Sequence, residues 1–271
     1  MEELNVAYIQ LCSNRNPAAN LDQAMPMVEA AGREGAQLVV LPENCAFLGQ
    51  DHEKIPFAQS LEDSKLLKPY RDAAKQFNLT ICAGTIPELS PEPEKTYNTS
   101  VMIGPTGELE QYYRKIHLFD IQLPDGTCYQ ESASVSAGKE TCIAQVDNWK
   151  IGITVCYDLR FPELYRSLRK QGAEILLIPA AFTLQTGKDH WEPLLRARAI
   201  ENQCYVVAPN QWGNHFGQRF SWGKSMVIDP WGTIISQAEE GPGYSLVKLK
   251  RKRIQEVRTA IPCWEHRHIT P

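Results

Sequence analysis

Three residues at the ends of apolar runs could jointly attack a carbonyl compound: Cys156 as nucleophile, Glu43 as base and Lys115 as a fixed positive charge. Ile151, Ile153 and Val155 alternate along a strand-like run, Cys156 follows, and Pro162 with Glu163 opens a helix shortly after. Backbone N–H groups and a helix dipole at such a position favour a thiolate. A free buried cysteine is more often a packing residue, so the reading depends on partners. The run AQLVVL leads to Glu43, and EQYYR leads to Lys115. Ligands of α/β sheets bind outside the carboxyl ends of strands, so a carboxylate, an amine and a thiol at three such ends can share one pocket. Taken singly, Glu43 and Lys115 read equally well as helix-dipole or surface charges.

The elements that must position these groups alternate in type. Residues 4–11 read as a strand, and Asn16 with Pro17 caps a helix to Arg33 that Gly35 ends. A short buried strand over 36–41, a helix over 61–77 and a strand over 79–85 follow. Segments 97–103 and 109–113 form a hairpin, and so do 142–146 and 149–155. Residues 120–138, with Pro124-Asp125-Gly126 and Glu131, read as a loop. Helices over 162–171 and 190–203 alternate with strands over 175–178 and 204–208. A hairpin around Asp229-Pro230-Trp231-Gly232, a strand over 244–249 and a helix over 251–259 complete the chain. This order predicts an α/β protein with two packed sheets and helices outside them. No repeat, low-complexity tract or linker interrupts it, so residues 1–271 read as a single domain.

Composition narrows the function. A net charge of −4 with scattered basic residues lacks the footprint of a nucleic-acid binder, and the run Lys248 to Arg253 reads as a solvated face. No apolar stretch approaches the roughly 20 residues needed to span a bilayer, and the N-terminus lacks signal-peptide features, so a cytoplasmic protein without membrane partners is expected. The eight cysteines contain no C-x-x-C pair and read as reduced thiols. There is no G-x-S-x-G, H-E-x-x-H or phosphate-binding loop, and His266 and His268 read as a solvated tail and not a metal pair.

Pro42-Glu43-Asn44, the stretch from Tyr113 to Asp120 (YRKIHLFD) and the stretch from Val155 to Leu164 (VCYDLRFPEL) resemble the Glu, Lys and Cys motifs of the nitrilase superfamily of carbon-nitrogen hydrolases. The similarity extends over nearly the whole chain, through Gln130-Glu131-Ser132, His190-Trp191-Glu192 and the segment from Arg196 to Gln203. It is greatest to the Nit branch, particularly its deaminated-glutathione amidases. The resemblance implies a four-layer αββα sandwich, a homodimer or higher homo-oligomer, and neither metal nor organic cofactor. It implies that Glu43 moves the proton, Cys156 carries the acyl group, Lys115 and the Tyr157 N–H hold the oxyanion, and Glu131 positions Lys115.

The expected substrate is a small amide with an α-keto dicarboxylate acyl half, deaminated glutathione before 2-oxoglutaramate, the ω-amidase substrate. Tyr157, Phe182, Thr183, His190, Trp191 and Arg219 are the expected binding residues, with His215, like Arg219 in an expected loop from Gln211 to Trp222, a second source of charge. Asp158, Arg160 and Glu163 read as braces of the turn, and Arg198 with Glu201 as a helix ion pair. Two rivals stand beside this reading. A Cys-His hydrolase would use His117, for which the sequence offers no evident orienting partner. A silent binding protein on the same fold has no need of an intact Glu43, Lys115 and Cys156.

Overall fold

A computed structural model describes residues 2–122 and 126–269; Pro124 and Asp125 of the expected turn lie outside the described residues. Successive side chains of a strand face opposite ways, and the strand Glu3–Gln10 shows what this does to the layers. Val6 and Tyr8 enter a core shared with a second sheet, whereas Ala7 and Ile9 enter a separate core beneath helices. Those helices are α1 (Pro17–Arg33), whose Ala24, Val28 and Ala31 are buried, and α2 (Lys68–Phe77), which buries Tyr70, Ala73 and Ala74.

The first sheet runs Gly243–Lys250, Glu3–Gln10, Leu38–Val40, Thr80–Cys82, Thr96–Ile103 and Ile86–Leu89, with Leu109–Arg114 also paired to Thr96–Ile103. The second runs Ile234–Gln237, Met226–Ile228, Tyr205–Ala208, Ile175–Leu177, Trp149–Ile153 and Cys142–Val146. Helices α3 (Pro162–Lys170) and α4 (Leu184–Asn202) pack Leu164, Leu168, Leu195 and Ala199 against this second sheet. The result is the α/β, four-layer αββα sandwich. A last helix, α5 (Arg251–Ala260), buries Ile254 and Val257. Each fully buried aliphatic side chain contributes roughly 1.5–3 kcal/mol, so the central core between the sheets is what holds their facing ends together.

Several boundaries depart from the sequence expectation for local reasons. Helix α2 begins at Lys68 and not at residue 61, with Pro69 in its first turn, where a missing N–H costs nothing. Helix α4 begins at Leu184 and not at His190, because the Thr183 side chain accepts a hydrogen bond from the Thr186 N–H and caps it. The expected strand over 79–85 stops at Cys82. Two residues later Gly84 has φ +47°, and a Cβ there would lie 1.9 Å from the Pro42 carbonyl oxygen. Only glycine allows this close approach, which fixes the backbone just before Glu43. Residues 120–138 hold a short pair, Asp120–Gln122 with Cys128–Gln130, and residues 211–222 are a hairpin, Trp212–Phe216 with Arg219–Trp222.

That hairpin is docked by a histidine. His215 Nδ1 lies 2.7 Å from the Ser13 carbonyl and Nε2 lies 2.9 Å from Ser221 Oγ, so the neutral tautomer donates through Nδ1 and accepts at Nε2. Burial first, and then the Arg219 charge, disfavour the imidazolium and lower the pKa to about 4 from 6.5, against the opposing Ser13 hydrogen bond. The unfolded chain therefore takes up this proton before the folded one does. Stability should decline as pH falls from 6.5 to 4, by up to about 3 kcal/mol from this group, and no further below that window. His215→Gln should show a visibly smaller drop in urea midpoint across the same interval; equal drops in the two proteins would exclude His215 as the titrating group.

Candidate active site

Cys156 begins a 3-10 turn, Cys156–Arg160, directly after the strand Trp149–Ile153 and its extension through Val155. Its φ is +48°, a left-handed value that costs a non-glycine residue roughly 1–3 kcal/mol. The turn is held in that shape from both sides. The Cys156 N–H donates to the Pro179 carbonyl at 2.9 Å. Asp158, wholly buried, accepts from the Val155 N–H at 2.9 Å and the Tyr113 hydroxyl at 2.8 Å. It also accepts from the His117 N–H at 3.1 Å and pairs with His117 Nδ1 at 2.7 Å. His117 thus has the orienting partner that the sequence did not reveal, and it stacks on Phe161 with ring centroids 3.6 Å apart. This arrangement turns it to the brace; it does not line the cavity that Cys156 faces.

The charged groups meet beside the thiol. Lys115 Nζ donates to Glu43 Oε1 at 3.0 Å and to Glu131 at 3.1 and 2.8 Å, with all three residues 6% exposed or less. Asn98, which the sequence reading missed, ties the two carboxylates by donating to Glu43 at 2.9 Å and Glu131 at 3.3 Å. A lone asparagine on a strand carries no sequence signal of this kind. Glu43 Oε2 accepts from the Ala181 N–H at 2.9 Å, and the Gln211 side chain holds the Glu43 carbonyl at 2.9 Å. Glu131 accepts from the Phe119 N–H at 2.7 Å.

Electrostatics assign the resting protons. Burial alone would raise the Glu43 pKa, but the Lys115 ammonium, the Cys156 thiol and the Ala181 N–H together lower it. Burial and the Glu43 charge outweigh Lys115 at Cys156 and push its thiol well up. Burial opposes the charge of Lys115, and Glu131 and Glu43 more than restore it. At neutral pH the site therefore holds a carboxylate, an ammonium and a protonated thiol side by side. Such a group can pass one proton between sulfur and carboxylate while the ammonium meets new negative charge.

These residues open on a cavity of about 650 Å³, within the range of small-molecule sites. Tyr157, Phe182, Thr183 and Arg219 also line it; His190 and Trp191 do not. Trp191 is fully buried, donates to the Lys224 carbonyl at 2.9 Å and packs on Phe182 from behind, while His190 sits on α4 beside Arg160 at 3.3 Å. Both lie on α4, where neither reaches the cavity they were expected to line. His215 is neutral and fully engaged, so it cannot supply the charge expected of it. Arg198 does more than pair with Glu201, since it also donates twice to the Leu159 carbonyl, at 3.1 and 2.8 Å, and ties α4 to the turn that begins at Cys156. Among the described residues no group of three or more His, Cys, Asp or Glu side chains is placed to hold a metal ion.

Known proteins share this sequence and shape. A model of the carbon-nitrogen hydrolase family matches residues 5–259. A Synechocystis protein named deaminated glutathione amidase is 45% identical over 98% of this chain and 99% of its own length. The Caenorhabditis elegans NitFhit structure superposes with a TM-score of 0.93 at 36% identity, over 99% of this chain and 66% of that longer one. Yeast Nit3, described as a member of branch 10 of the nitrilase superfamily, gives 0.90 at 32% identity over 99% of this chain and 97% of that one. Sequence and backbone agree over nearly the full length, and the chain belongs to the carbon-nitrogen hydrolase family, as a hydrolase of non-peptide carbon-nitrogen bonds.

Proposed function

We propose that the chain cleaves its amide through a thioester on Cys156, a reading supported above all by the buried thiol, carboxylate and ammonium meeting at one cavity wall. The thiol proton moves to Glu43 as sulfur bonds to the carbonyl carbon, and the carbonyl electron pair goes to oxygen. Lys115 and the Tyr157 N–H hold that oxyanion. Its collapse breaks the C–N bond, and Glu43 returns the proton to the departing amine. Water then gives a proton to Glu43 while attacking the thioester, and the C–S bond breaks as that proton returns to sulfur. Glu131 and Asn98 position Lys115 and Glu43 throughout. Tyr157, Phe182 and Thr183 shape the cavity around the acyl half.

The proposed substrate is deaminated glutathione, hydrolysed to 2-oxoglutarate and cysteinylglycine, with 2-oxoglutaramate a poorer one. The names of the relatives support this, and so does a cavity with room for an amide of twice as many non-hydrogen atoms as 2-oxoglutaramate. We also propose that the chain acts as one domain, as a homodimer, in the cytoplasm. No helix among the described residues is long and apolar enough to cross a membrane.

Cys156→Ala should fold and lose essentially all turnover, whereas Cys82→Ala, which removes a buried thiol near Ser100, should cost only stability, about 1 kcal/mol. Turnover retained by well-folded Cys156→Ala would sink the mechanism. Glu43→Gln keeps the shape and removes the base, so its rate should fall about 10²- to 10⁴-fold. Lys115→Met should lose activity and also stability, by about 3–5 kcal/mol, because it leaves two buried carboxylates unpaired; Glu131→Gln should be milder. Wild-type kcat from either Glu43→Gln or Lys115→Met would remove these roles. In a side-by-side assay kcat/KM should be at least a hundredfold higher for deaminated glutathione than for 2-oxoglutaramate, and the opposite order would assign the ω-amidase activity instead.

A further inference from the structure

The cavity also carries an arginine whose charge no carboxylate among the described residues answers. Arg219, on the hairpin strand Arg219–Trp222, lines the cavity with its guanidinium 4.8 Å above the Tyr129 ring. Its Nη1 is screened from solvent and has no hydrogen-bond partner, and Nη2 makes only a long bond, 3.4 Å, to the Ala181 carbonyl. Among the described residues it forms no ion pair, and the two carboxylates of the same cavity are already held by Lys115. A half-buried, under-bonded guanidinium at a ligand cavity is short of an anion, and a carboxylate fits its fork of donors.

Its distance from the chemistry says which end of the substrate it would meet. Ala181 donates its N–H to Glu43 Oε2 at 2.9 Å and accepts from Arg219 at 3.4 Å, so one residue of backbone separates the two side chains. Standard backbone dimensions then place Arg219 Nη2 no more than about 10 Å from the Glu43 carboxylate. Glu43 is the group that protonates the departing amine, so the leaving half of the amide starts there. An amine of two amino-acid residues spans up to about 7 Å from nitrogen to carboxylate, and a hydrogen bond at each end covers the remainder with slack. Ammonia reaches Glu43 only.

From this geometry we infer that Arg219 is a specificity residue that binds the terminal carboxylate of the leaving amine, so that the enzyme selects amides whose amine half is a short peptide ending in a free carboxylate. The inference rests on the amidase reading above and adds what selects the leaving group. Two close approaches hold the arginine at this distance. A Cβ on Gly187 of α4 would lie 2.3 Å from Trp222 Cβ, so the helix presses on the end of the hairpin, and Trp222 N–H donates to the Phe182 carbonyl at 2.9 Å.

The test compares deaminated glutathione with the same compound carrying a glycinamide terminus, and 2-oxoglutaramate, on wild type, Arg219→Gln and Arg219→Lys. Wild type should prefer the carboxylate over the carboxamide by about ten- to a hundredfold in kcat/KM, the size of one charged hydrogen bond. Arg219→Gln should bring that ratio close to one, and Arg219→Lys should keep part of it. A wild-type ratio near one, or an unchanged ratio in Arg219→Gln, overturns the inference while the amidase reading stands. No turnover of any of the three amides by wild type overturns both.

Discussion

An ammonium held between two carboxylates, all but shut off from water, is the condition on which this site rests. Removing such ions from solvent costs several kcal/mol each, and their attraction repays it only when the geometry is tight and the remaining lone pairs are filled. Here Asn98, the Ala181 N–H and the Phe119 N–H fill them. Those three donors come from a central strand of the first sheet, the segment after a strand of the second, and the connection leading to Glu131. The cluster is thus satisfied only where the two sheets meet, and the packing between them is bound to its geometry.

The same balance sets the reactivity of the thiol. Burial and the Glu43 charge oppose a thiolate more strongly than Lys115 favours it, so sulfur keeps its proton at rest. In the proposed mechanism, a thiol proton lost to solvent would leave Glu43 without the one it returns to the departing amine. Asp158 contributes by geometry alone: four donors converge on its carboxylate and lock the left-handed turn that lifts Cys156 toward the cavity.

Much of this was legible in the sequence, for identifiable reasons. Glu43 and Cys156 each follow an apolar run and Lys115 follows a strand, and that placement survives into the structure because strand ends of packed sheets face a common edge. The cap at Asn16 and Pro17 was equally plain, and its side chain does accept from the Ala18 and Ala19 N–H groups. What failed was non-local or masked by glycine. The hairpin over 212–222 contains Gly213 and Gly217 at positive φ and a register shift near Asn214, which break the period-two pattern. Asn98 and the His117 to Asp158 pair depend on partners tens of residues away. Helix α4 starts six residues before its expected beginning, and that added turn holds Gly187, whose missing side chain is what lets Trp222 approach.

The division of the site between two sheets also bears on how the chain folds. The first sheet supplies Glu43, Asn98 and Lys115; the second supplies Cys156 and the peptide of Ala181. Neither half can form the cluster alone, and the pairings that bring them together link residues far apart in sequence, which are the contacts that close slowly. During refolding, helical and strand signals can therefore return while Glu43, Lys115 and Cys156 are still apart, and on the proposed mechanism recovered activity marks the moment when the facing sheets have docked.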